Sequence, residues 1–166
     1  HLSIRRQRQM CIRDRALVEA GYTAVALDGP GHGRSPGDEA HVGLFARAML
    51  EAAAELPPLK AVIGHSMGGA SVLLALQWGL RADAVVSIAA PSRLIGVLRG
   101  FARHLNLPPR ARAAFIRKVE RDVGVAIERL DVSGYQLDVP GLVVHARDDQ
   151  LVAADEAQLI HDAWFD

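Results

Sequence analysis

Residues 60–69 read KAVIGHSMGG, a short apolar run that ends in Gly64-His65-Ser66-Met67-Gly68 and continues into Gly69. An apolar run of this length closed by glycine predicts a buried strand over Lys60–Gly64. From Gly68 to Leu80 the chain places Ala70, Leu73, Leu74 and Gln77 at helical spacing, so a helix follows at once. A strand that turns directly into a helix through G-x-S-x-G has a mechanical meaning. The serine rides on a sharp, strained turn, which requires very small residues two before and two after it, here Gly64 and Gly68. The next backbone N–H, that of Met67, then faces the point where an oxyanion develops, and the helix N-terminus adds a favourable dipole. Composition alone produces such a pentapeptide in roughly one chain in twenty of this size. The flanking strand and helix are therefore what make the signal specific.

Working outward, the same alternation repeats. Ala16 to Ala20 reads as the end of a helix closed by Gly21, and Tyr22–Leu27 (YTAVAL) as a buried strand. Asp28–Gly37 (DGPGHGRSPG) is too rich in glycine and proline to be anything but a loop. Val42, Phe45, Met49, Ala52 and Leu56 form a helical stripe that Pro57-Pro58 ends. Beyond the elbow, Ala84–Ala89 and Leu142–His145 read as two more strands, and Ala154–Trp164 as a last helix. Strand and helix in alternation predict an α/β fold with a mostly parallel sheet flanked by helices. One stretch breaks the rhythm. Leu94, Leu98, Phe101 and Leu105 mark an amphipathic helix, Asn106–Pro109 a turn, and Arg110–Val123 a second helix. Helices inserted between two strands of a parallel sheet read as a small cap, here residues 91–137.

The 166 residues, 50% hydrophobic and 23% charged, suit one globular domain. Formal net charge is zero, so no whole-molecule field recruits nucleic acid or an anionic membrane. No apolar run approaches the roughly 20 residues of a membrane span. The single cysteine, Cys11, excludes an internal disulfide framework and a cysteine-rich zinc site, and fits a cytoplasmic protein. Residues 1–14 are rich in arginine and lack an apolar core segment. They are not a secretory signal and are expected to be a non-native or disordered head, leaving residues 15–166 as the folded core.

Three stretches together resemble the α/β-hydrolase family. LDGPGHGRSPG is similar to that family's D-x-P-G-x-G-x-S loop, IGHSMGG to its nucleophile elbow, and VPGLVVHARDDQLV to the strand and loop that deliver the acid of its catalytic triad. They fall in family order and span roughly residues 15–164. The resemblance implies a serine hydrolase that cleaves a carboxylic ester or related acyl bond. Ser66 would be the nucleophile and Met67 N–H an oxyanion donor. The family's H-G-x-x-D pattern, counted from His145, points to Asp149 as the acid rather than Asp148, with Ala146 standing where the family usually has glycine.

The triad also needs an imidazole, which the family carries on a loop beyond a further strand. His161 is the only histidine after Asp149, and it falls inside a predicted helix. His65 reads as a locally packed residue, His145 as a strand-end residue and His32 as a loop residue, none placed to be the base. The resemblance therefore implies an incomplete fold. The family's N-terminal strands and second oxyanion loop would lie before Ala16, and its histidine loop after Asp166, which makes this chain by itself inactive. It also leaves the strands Tyr22–Leu27 and Lys60–Gly64 without the strand that separates them in the family, so they must pair directly or leave backbone unpaired. A different class remains open, a hydrolase fold serving as a non-catalytic ligand-binding module. The expected partner is a small-molecule acyl substrate, with no nucleic acid, membrane, metal or cofactor. Oligomeric state and substrate identity are not legible. Between Arg93 and Gln136, eight arginines and one lysine face four acids. That excess reads as a solvated helix face, or as a basic cap that steers anionic substrates.

Overall fold

The computed structural model describes residues 3–5, 12–124, 126–132, 135 and 137–165. The chain divides into two units, residues 1–40 and 41–166.

In the first unit, β1 (Ser3–Arg5) pairs antiparallel with β2 (Ala26–Asp28), and α1 (Ile12–Glu19) lies between them in sequence. The expected strand Tyr22–Leu27 is thus much shorter and shifted toward its end. Tyr22, Thr23 and Val25 are exposed, and ladder bonds form only at the three residues that have a partner on β1. The glycine loop that follows folds around Asp28. Its backbone carbonyl accepts from Ser35 Oγ at 2.5 Å, and its carboxylate accepts from the Arg34 N–H at 3.2 Å. Gly33 has φ +56, and a Cβ there would lie 2.5 Å from the Asp28 carboxyl group, so the turn closes only with glycine.

The second unit holds the parallel sheet. Its strands β3 (Val62–His65), β4 (Val85–Ile88) and β5 (Gly141–Val144) lie in the order β3-β4-β5. Between β3 and β4 runs α3 (Met67–Gln77), and α2 (Val42–Ala54) packs on α3. A final helix, α6 (Asp155–Phe165), packs on β5. All three predicted strands are present within one or two residues of their expected ends. The register pairs Val62 with Val85 and Val85 with Gly141, and at the far end His65 with Ile88 and Ile88 with Val144. The three strands therefore end level.

Burial alternates along each strand. Gly64, Val85 and Ser87 are buried on the face that α3 covers. Ile63 and Leu142, on the opposite face, are 49% and 55% exposed. Leu73, Val72, Val85 and Ile160 are the centre of the core. Trp164 of α6 donates its indole N–H to the Val139 carbonyl at 2.7 Å and lies against Gly141, where a side chain would collide with its ring.

The predicted helical segment between β4 and β5 is present as α4 (Leu94–His104), α5 (Pro109–Val123) and a 3-10 turn, Ile127–Leu130. Pro109 opens α5 at a position where its missing N–H costs nothing, and Gly124 at φ 80 closes it. Leu94, Leu98 and Ala102 bury the inner face of α4, while Arg99, Arg103, Arg110, Arg117 and Arg121 are exposed. The two ends of the segment are tied together. Val132 N–H donates to the Ser92 carbonyl at 3.0 Å, and Arg93 and Asp131 form an antiparallel bridge.

Candidate active site

Ser66 stands between β3 and α3 with φ 54 and ψ −123. L-residues occupy this region only under constraint. The constraint here is bonded on both sides. Ser66 N–H donates to the Ile88 carbonyl at 2.8 Å, and the Ser66 carbonyl accepts from Ala70 N–H at 3.1 Å to begin the helix. The chain must fold back sharply to make both bonds, and small residues permit it. A Cβ on Gly64 would lie 2.6 Å from the Gly68 carbonyl oxygen and 2.7 Å from Gly69 Cα.

The second tight position differs from expectation. A Cβ on Gly68 would meet nothing within 4 Å, whereas one on Gly69 would lie 2.7 Å from Ala90 Cβ and 3.2 Å from the Gly64 carbonyl oxygen. The close approach of helix to strand therefore falls on Gly69, one residue later than the motif's spacing suggests. Met67 N–H belongs to the first turn of α3, whose amides have no acceptor within the helix. Ser71, one turn on, returns its hydroxyl to the Met67 carbonyl at 2.7 Å.

Asp149 lies in the loop beyond β5. Its Oδ1 accepts two backbone bonds, from Leu151 N–H at 2.8 Å and Val152 N–H at 3.0 Å. Those two amides hold its carboxyl below the usual aspartate range, and the His145 and His65 charges act in the same direction. Asp148 is exposed, and only its backbone carbonyl takes a bond, from Gln150. Of the two candidates, Asp149 is the one whose carboxylate is held in place.

Strand register brings the two loops to one edge. His65 and Val144 sit at the same level on strands separated only by β4, a lateral spacing of about 10 Å. Ser66 follows the first and His145 the second, so the serine and the acid loop leave the sheet at its carboxyl end, where ligands of open α/β sheets bind.

Four of the described histidines have other engagements. His145 Nε2 lies 2.9 Å from the Val152 carbonyl oxygen and 3.6 Å from Asp149 Oδ2. His161 is exposed on α6, 3.2 Å from Asp162. His32 contacts the Pro30 carbonyl oxygen at 3.1 Å within the glycine loop. His41 caps α2, accepting from Leu44 N–H at 3.3 Å.

Sequence reasoning used His145 only as the point from which Asp149 is counted and missed its contact with the Val152 carbonyl. It passed over Glu156, in the first turn of α6, altogether. The Glu156 Oε2 accepts from Ser92 N–H at 2.7 Å, Ser92 Oγ at 2.5 Å and Arg93 N–H at 3.0 Å, and its Oε1 accepts from the Arg93 guanidinium. Burial pushes the Glu156 carboxyl up, but the Ser92 and Arg93 bonds outweigh it and leave the group below the usual glutamate range. No local sequence signal links residues so far apart. No helix among the described residues is long and apolar enough to cross a membrane.

Residues 7–165 match the family model of the alpha/beta hydrolase family. No curated protein matches the sequence. Among solved structures, the chain is similar to alpha/beta hydrolase domain-containing protein 10 from mouse, with a TM-score of 0.69 at 17% identity, over 92% of this chain and 68% of that one. It is also similar to an esterase of Pyrococcus furiosus (TM-score 0.63, 21% identity, 95% of this chain and 62% of that one). A monoacylglycerol lipase of Paleococcus ferrophilus aligns with a TM-score of 0.62 at 21% identity, over 91% of this chain and 72% of that one. At these identities the likeness is one of fold.

Proposed function

The chain belongs to the alpha/beta hydrolase family, and from that premise we propose that it carries the nucleophile and the acid of a serine hydrolase acting on a carboxylic ester or related acyl bond. The observation that carries this reading is the backbone of Ser66, held at φ 54 on the turn into α3. Strain of about 1–3 kcal/mol at one residue persists only where the surroundings over-determine it, and here it lifts a hydroxyl to the N-terminus of a helix.

In this reading Ser66 Oγ attacks the acyl carbon and gives up its proton to an imidazole. Met67 N–H stabilises the oxyanion as the tetrahedral intermediate forms. Asp149, ionised and fixed by the Leu151 and Val152 amides, orients the imidazole and stabilises its charged form. His145, His161, His32 and His41 are each engaged elsewhere, which supports a base supplied from outside these four.

The test is labelling with a fluorophosphonate probe, with and without added free imidazole as a diffusible base. Labelling is expected to be slow, to rise with imidazole concentration, and to vanish in Ser66→Ala. A folded chain that takes no probe at Ser66 even with imidazole would overturn the nucleophile assignment and favour a binding module. Fast labelling without imidazole would show that an in-chain histidine serves as the base.

A further inference from the structure

His145 is 4% exposed at its side chain, a burial that an imidazole tolerates when its polar atoms are used. Only one of them is. A carbonyl oxygen only accepts, so the 2.9 Å contact with Val152 requires the proton on Nε2. Nδ1 is buried with no hydrogen-bond partner. An aliphatic side chain would fill this space without leaving a lone pair unused, so what the imidazole adds here is its Nε2–H.

Nε2–H spans the loop. It ties the start of the loop, at the end of β5, to the Val152 carbonyl at its close, and it lies 3.6 Å from Asp149 Oδ2. The same Val152 donates its N–H to Asp149 Oδ1. Val152 is thus gripped through both of its backbone polar groups, by His145 on one side and Asp149 on the other. The Asp149 carboxylate cannot rotate away without losing the Leu151 and Val152 bonds, and those amides stay in place because His145 holds the loop closed. From this geometry we propose that His145 is a positioning residue for Asp149, acting through its Nε2–H on the Val152 carbonyl. The assignment rests on the reading of Asp149 as the acid of the site.

Glutamine reproduces an Nε2 donor, asparagine reproduces only the Nδ1 position, and leucine fills space without either. All three remove the imidazole ring, leaving His65 as the histidine that acts on Asp149, so differences among them isolate the hydrogen bond. The experiment is NMR on the intact chain, reading the Asp149 carboxyl titration and the exchange rate of the Val152 amide. In His145→Gln the Asp149 carboxyl is expected to stay below the usual range and the Val152 amide to remain protected. In His145→Leu and His145→Asn the carboxyl should rise toward the ordinary value, with Val152 exchange roughly 10-fold faster. If leucine holds Asp149 as well as glutamine does, His145 only fills space and the proposal fails. It fails equally if glutamine behaves like leucine while circular dichroism shows all variants folded. Neither readout depends on Ser66 reactivity. Failure of the hydrolase reading would appear instead as absent Ser66 labelling beside an intact Asp149 response.

Discussion

The two loops that leave the carboxyl edge of the parallel sheet hold their side chains by opposite means. The elbow, residues 64–69, is fixed by shape. Backbone bonds to Ile88 and Ala70 force Ser66 into a strained conformation, and missing side chains at Gly64 and Gly69 make the fold possible. The acid end, residues 145–156, is fixed by bonds. Asp149 and His145 act through Leu151 and Val152, and Glu156 acts through Ser92 and Arg93. A site fixed by shape is damaged by adding atoms and insensitive to pH. A site fixed by ionised groups is damaged by removing atoms and weakens in acid.

The largest expected effect breaks the shape. Gly64→Ala places a methyl group against the backbone of Gly68 and Gly69, where neither can move without breaking the start of α3. A loss of about 3 kcal/mol or more follows, read as a lowered urea midpoint or failure to fold. Gly68→Ala is the control within the same motif. Its Cβ enters open space, so stability should change by no more than about 0.5 kcal/mol. Equal damage from the two would refute the assignment of the tight contact to Gly69.

Next in size is Glu156→Ala. It strips the acceptor from the buried Ser92 N–H and hydroxyl and from Arg93, at a cost of about 2–3 kcal/mol. The acid dependence follows from direction alone. Asp149 and Glu156 have folded-state values below their usual ones. The stability they contribute is therefore complete above the ordinary carboxylate range and is lost as pH falls through their depressed values. Urea midpoints from pH 7 downward should fall on acidification, and less steeply in Glu156→Gln. A Glu156→Gln profile parallel to the parent's would show that Glu156 is not coupled to folding. The smallest effect has the opposite sign. Ser66→Gly removes the strain at φ 54 and is expected to raise stability by about 1 kcal/mol while abolishing labelling. A variant less stable than the parent would mean that the serine conformation is not strained.

The same contrast explains what the sequence discloses. Strands β3, β4 and β5, their helices and the elbow are written locally, in runs of apolar residues and in glycines whose spacing is a mechanical requirement. Tyr22–Leu27 misled because an apolar run gives strand propensity without saying how many residues find a partner. Gly68 misled because the motif records small residues, while the close contact depends on how the start of α3 meets Ala90, just beyond β4, and the Gly64 carbonyl. Asp149 over Asp148 was legible from its spacing to His145. The grip of His145 on Val152 required the loop's return path, and the Glu156 contacts join residues more than sixty positions apart, which no periodicity reveals.

The tie between Ser92 and Val132, with the Arg93–Asp131 bridge beside it, bears on how such a chain can diversify. The stretch between these residues enters and leaves the sheet through a closed collar. The entropy of closing a longer excursion grows only logarithmically with its length. Helices 94–123 can therefore be lengthened, shortened or exchanged with little disturbance to the register of β4 against β5. The helical segment can drift while the sheet edge that carries Ser66 and Asp149 stays fixed.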